Sequence, residues 1–260
     1  MKRLIISLLA ASVVSAGVFA ATVDEIVAKA NHAAYYQGDD GKAQISMTIS
    51  DAQGRTRNRE FTILRKDVGD TDGQQMFYVY FRRPADVAKT VFMVLKNDMA
   101  DDDRWLYLPA LDLVKRIAAS DERTSFVGSH FFYEDVSGRS PSEDTHILVE
   151  ETDDYYVIDS TPKKTAGVEF SHYKSWIHKA TFIPVRSEYY DEKGEVYRTY
   201  DALGVEVIDD FATVTHARMS DTRIGGFTEM QYSKVAYNQG ISEDIFTERY
   251  LRNPPRKELR

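Results

Sequence analysis

About a dozen short segments that read as β-strands follow one another along this 260-residue chain, with turn residues between them and hardly a helical period. Such a chain can fold only as an antiparallel sheet that curls or closes, because parallel βαβ units would need a helix between successive strands. Ile45, Met47 and Ile49 alternate with polar residues, Asp51-Ala52-Gln53-Gly54 makes a turn, and Phe61, Ile63 and Leu64 return as the second arm of a hairpin. Strands are then expected at Gln74 to Arg82, Thr90 to Lys96, Arg104 to Pro109, Leu111 to Ala118, His146 to Thr152, Tyr155 to Ser160 and Val168 to Ala180. The last third adds Ile183 to Asp191, Glu195 to Val207, Thr213 to Asp221 and Phe227 to Tyr237. One amphipathic helix opens this order: Thr22 and Glu25 have capping-box spacing, and Val23, Ile26, Val27, Ala30 and Ala34 share a face. Two further helical interruptions are expected, at Phe131 to Val136 and Ser242 to Leu251. No linker, repeat or charge block divides residues 21–260, which predicts one domain, and the tail Asn253-Pro254-Pro255-Arg256-Lys257 reads as a disordered end.

Residues Met1 to Ala20 have the parts of a secretory signal: Lys2 and Arg3, an apolar run from Leu4, and Val18-Phe19-Ala20 as a cleavage site. A soluble periplasmic protein starting near Ala21 is the expectation. With Lys2 and Arg3 removed from 33 basic residues against 41 acidic ones, its charge is about −10. That balance excludes a phosphate-backbone footprint and so nucleic acid as a partner. The chain has no cysteine, hence no disulfide and no attachment point for a lipid anchor. An integral outer-membrane barrel is disfavoured, because charged residues recur at both parities in Arg55 to Glu60 and Glu195 to Asp201.

Met76 to Phe81, Val91 to Leu95 and Trp105 to Leu108 are apolar at both parities, so both faces of these strands must be covered. Their cover is either the protein's own helices and loops or, on one face, a lipid-like guest. For the second case the expected wall is Phe77, Val79, Phe92, Val94, Trp105 and Tyr107, or their neighbours if the parity is opposite. The Ser120 to Gly138 connection is long and holds Phe126, Phe131, Phe132 and Tyr133, which makes it a candidate mobile lid over an apolar surface. Arg104 and Arg116 are candidates for contacting a headgroup or latching that lid.

Signatures of common enzymes are missing: no thiol nucleophile, Gly-rich phosphate loop, G-x-S-x-G elbow or H-E-x-x-H pair. His172 and His178 lie about 20 Å apart along a strand, too far to share a metal. The acidic turn at Asp98 and Asp101 to Asp103 lacks the glycine and terminal glutamate of a calcium loop and reads as a solvated strand connection. No cofactor or metal is expected. The enzyme alternative is a periplasmic hydrolase of lipid or envelope polymer using Ser129, His130 and Glu134 or Asp135.

Arg104-Trp105-Leu106-Tyr107-Leu108-Pro109-Ala110-Leu111 with Lys115-Arg116-Ile117-Ala118 resembles the LolA-like outer-membrane lipoprotein-sorting family, in the branch that accompanies resistance-nodulation-division (RND or MMPL-type) transporters. Gly128-Ser129 through Phe131, Tyr133, Glu134 and Asp135, the hairpin from Trp176 to Gly194, and the end around Ile245-Phe246-Thr247, Arg249 and Leu251 support it. His130 and His178 stand where an Asp is usual in that family. The resemblance implies an unclosed antiparallel β-barrel with helices covering a concave apolar face and no catalytic residue. It implies a carrier of an acylated or lipid molecule through the periplasm, and the expectation is a monomeric or weakly associating shuttle that takes a lipid or acylated protein cargo from an inner-membrane transporter toward the outer membrane.

Overall fold

The computed structural model describes residues 21–98 and 100–260; the expected leader, Met1 to Ala20, lies outside the described residues. Among these residues 13 strands form one antiparallel sheet. They are β1 (Asp40–Ser50), β2 (Thr56–Asp67), β3 (Gln75–Arg83), β4 (Val91–Leu95), β5 (Asp103–Leu108), β6 (Leu113–Ile117), β7 (Asp144–Glu151), β8 (Tyr155–Pro162), β9 (His172–His178), β10 (Pro184–Tyr190), β11 (Val196–Ile208), β12 (Phe211–Asp221) and β13 (Phe227–Tyr237). The spatial order is β6-β5-β4-β3-β2-β1-β13-β12-β11-β10-β9-β8-β7, so the sheet stays unclosed, with β6 and β7 as its edges. This is the expected unclosed antiparallel architecture. Bulges in β1, β2, β10 and β11 bend and twist the sheet into a trough.

Helix α1 (Val23–Asn31) starts where its capping box predicts, with Thr22 N–H donating to Glu25 Oε2 at 2.9 Å and Glu25 N–H to Thr22 Oγ1 at 3.3 Å. A π-helical turn, His32–Tyr36, continues it. The helix buries Ile26 and Ala30 against Ile158 of β8 and Ile177 of β9, over one end of the concave face. The edges β6 and β7 are consecutive in sequence but lie at opposite ends of the sheet, so residues 118–143 must cross the whole concave side. This crossover carries α2 (Tyr133–Ser137).

Helix α3 (Glu248–Arg252) covers the other face. Ile241, Ile245, Phe246, Leu251 and Leu259 pack there on Leu64, Tyr78, Val91 and Met93. The tail is therefore not a disordered end. Leu259 is buried, and Lys42 Nζ donates to the carbonyl of Arg260. Helices α1 and α2 lie on the concave side, as expected, and α3 adds cover on the other face. Strands β3 to β5 are apolar at both parities because the crossover covers one face and the C-terminal segment the other.

Candidate functional site

Antiparallel register decides which side chains enter the trough. Phe92 pairs with Leu106 and Val79, while Met93 pairs with Trp105 and Tyr78. Phe77, Val79, Phe92 and Val94 thus face inward, whereas Trp105 and Tyr107 belong to the outer cluster. The expected wall is corrected at those two positions: one residue of alternation puts Leu106, not its aromatic neighbours, on the concave side.

The crossover makes a small hairpin, with Phe126 N–H donating to Phe131 O at 2.8 Å and a bridge between Ser125 and Phe132. Its tip drives Phe126 into a nest of rings, 6.0 Å from Phe61, 5.7 Å from Phe81, 5.6 Å from Phe92 and 5.6 Å from Tyr133. This aromatic block covers Val79, Phe92 and Val94. Of the six expected wall residues, Phe77 lines the cavity that remains. Phe132 points elsewhere: its ring lies under the guanidiniums of Arg198 at 4.0 Å and Arg123 at 5.1 Å.

Buried ion pairs fasten the crossover to the sheet. Arg104, on the inner face of β5, donates to Glu122 at 2.7 Å and to Asp102 at 2.8 Å. Arg116 instead pairs with Asp103 on the exposed outer face, beside the Trp105 ring. Arg198 of β11 holds Asp135, Arg123 and Arg139 hold Glu134, and Lys96 donates to the carbonyls of Ser137 and Gly138 at 2.8 and 3.1 Å. Burial pushes the Lys96 ammonium below its usual range. Burial also raises the Glu122 carboxyl to about 7; Arg104 opposes that shift, and Glu134 and Glu143 add to it. Among the described residues Glu122, Glu134 and Glu143 are a group of carboxylates close enough to share an ion. Each is paired with an arginine, Glu122 with Arg104, Glu134 with Arg123 and Glu143 with Arg139, so they form part of an ion-pair network.

The hydrolase constellation is not assembled. Ser129 Oγ donates to Phe131 O at 3.1 Å, while His130 Nδ1 pairs with Thr228 Oγ1 at 2.8 Å and His130 Nε2 with Gly225 O at 3.1 Å. Serine and imidazole are both committed to structural partners. His178 likewise bonds Thr181 within its own turn, at 2.9 Å.

Between the sheet, the end of the N-terminal helical segment and the crossover lies a cavity of about 390 Å³. Its β1 to β3 side is mostly apolar, with Ala43, Ile45, Phe61, Ile63 and Phe77, and carries Lys42 and Arg65 toward one end. Its β9 to β13 side carries Tyr173, Tyr189, Tyr200 and Tyr232, faced by Tyr35 from the N-terminal segment. The tyrosines escape a reading for apolar runs, because they alternate with charged or polar neighbours as in Tyr173-Lys174, Glu188-Tyr189 and Tyr200-Asp201. That period-two pattern was the available signal.

A family model described as an uncharacterized protein matches residues 73–253. None of the curated proteins compared matches the chain. A solved DUF1329 family protein from Desulfovibrio piger is 30% identical, with a TM-score of 0.79 over 87% of this chain and 96% of that one. A structure described as an outer membrane lipoprotein-sorting protein domain, from Vibrio parahaemolyticus, is 27% identical, with a TM-score of 0.78 over 88% of this chain and 97% of that one. A LolA superfamily protein from Nitrosomonas europaea shares the fold, with a TM-score of 0.69 at 19% identity over 89% of this chain and all of that one.

Proposed function

Since this chain belongs to the DUF1329 family and has the fold of the LolA superfamily, we propose that it is a carrier that holds the acyl part of a lipid or acylated protein in its cavity. The observation that carries this reading is the cavity itself, mostly apolar along β1 to β3 and within the size range of small-molecule sites. Each buried methylene contributes about 0.8 kcal/mol, so the walls alone supply the affinity for an acyl chain. The chain acts in the periplasm as a monomer. It takes its cargo from an RND or MMPL-type transporter of the inner membrane and yields it to an acceptor at the outer membrane. Its work is binding and release rather than catalysis. The relative described as a lipoprotein-sorting domain supports this direction, and no helix among the described residues is long and apolar enough to cross a membrane.

The test uses a fluorescent fatty-acyl probe and two substitutions that fill the cavity, Ile63→Trp on β2 and Val235→Trp on β13, with near-UV circular dichroism to verify folding. The wild type should bind saturably and each folded variant at least tenfold more weakly. Saturable binding left unchanged by both would remove the cavity from consideration, and absence of binding to the wild type would end the carrier reading.

A further inference from the structure

The hydroxyls of Tyr35, Tyr189 and Tyr200 reach no hydrogen-bond partner among the described residues, and that of Tyr232 meets only the sulfur of Met230, at 3.6 Å. All four side chains are half-buried and their hydroxyls open on the cavity, where a donor without a protein partner is met by water or by a guest. Three on the β10 to β13 side, with Tyr35 facing them, are a set of donors open to an acceptor. They are close enough that charge on one would act on the next, as Tyr35 does with Tyr189, Tyr200 and Tyr232. Burial raises all four above the usual phenol range, Tyr189 and Tyr232 to about 12, so each remains a neutral donor at physiological pH.

The charged groups that line the same cavity indicate what those acceptors are. Its cations are Lys42, Arg65 and Arg139, and each is engaged: Lys42 with the Arg260 carbonyl, Arg65 with Asp67, Arg139 with Glu134 and Asp144. Glu134 and Asp135 are likewise occupied by arginines. An anionic headgroup against the tyrosines would lie near the Asp135 carboxylate, while Lys42, whose partner is a carbonyl, stands on β1 rather than among them.

Resting on the carrier reading, we propose that the tyrosine wall is a subsite for an uncharged, oxygen-bearing acceptor joined to the acyl chain, of the kind an acylglycerol ester supplies. The cargo then lies with its chain along β1 to β3 and its ester and glycerol oxygens against β10, β11 and β13, while any charged portion stays outside the cavity. Selection follows from donors that hydrocarbon alone cannot satisfy.

The experiment measures displacement of the fluorescent acyl probe by 1-monooleoylglycerol and by oleate at pH 8, on the wild type, Tyr189→Phe, Tyr200→Phe and the double variant. Removing each hydroxyl should weaken monooleoylglycerol by about three- to tenfold and oleate by less than twofold. The wild type should prefer the neutral ester. Equal binding of both competitors by all four proteins would mean that the hydroxyls hold only water, and a preference for oleate would overturn the uncharged acceptor. Either result leaves the carrier reading intact, since the probe is still bound. If the probe itself does not bind, both readings fall together.

Discussion

Arg198 of β11 and Asp135 of α2 form an ion pair whose guanidinium has no exposed surface. Arg198 also donates to the His130 carbonyl at 3.0 Å, so one side chain ties the sheet to both ends of the crossover's inner turn. Arg198→Met should therefore destabilise the protein by about 3–5 kcal/mol, because the Asp135 carboxylate is left partly buried without its cation. Adding Asp135→Asn should recover part of that loss. Urea unfolding of the two single variants and the double variant checks it, and strictly additive losses would show that the pair is uncoupled.

Phe126→Ala empties the centre of four rings at a fully buried position, and a loss of about 3–5 kcal/mol is expected. The same nest, with the arginine anchors, leads to a second expectation for this segment. Hydrogen exchange within Phe126 to Val136 should be slow and nearly unchanged when an acyl probe is bound, the behaviour of a fixed inner wall. A large increase in exchange on loading would instead make it the displaceable lid that its length and aromatic content suggest.

Glu122 sets a pH dependence. Its carboxyl titrates near 7 in the folded chain, above its ordinary 4.5, so the folded state holds a proton that the unfolded state gives up. That contribution is complete below about 4.5 and is lost as the pH rises through 7. From pH 5 to pH 8 the melting temperature of the wild type should fall relative to that of Glu122→Gln. A constant gap across the window would show that Glu122 is not raised.

The positions of the strands along the chain and the opening capping box were legible because they rest on local periodicity, from Thr22 and Glu25 to the alternation of Ile45, Met47 and Ile49. The covered faces of β3 to β5 were legible as a requirement, but not what covers them. Parity cannot say which face is concave, so Trp105 and Tyr107 were expected inside when register with Met93 and Val91 turns them out. Leu259 looked like part of a loose end because its partners, on β2 to β4, lie about 160 or more residues earlier. The tyrosine wall needed the assembled sheet: Tyr189 and Tyr232 come from β10 and β13, and no local pattern announces that they meet.

β1 is paired with β13, the first strand of the sheet hydrogen-bonded to the last, with Ile45 opposite Tyr232. The two halves of the trough are thus stitched along a seam that neither can make alone. Everything from β2 to β12 must be held in an unfinished state until the final strand is available, and pairings of such long sequence separation form slowly, in milliseconds to seconds. A chain stopped before Phe227 would keep its hairpins yet present β1 and β12 as two raw edges, each open to pairing with another molecule.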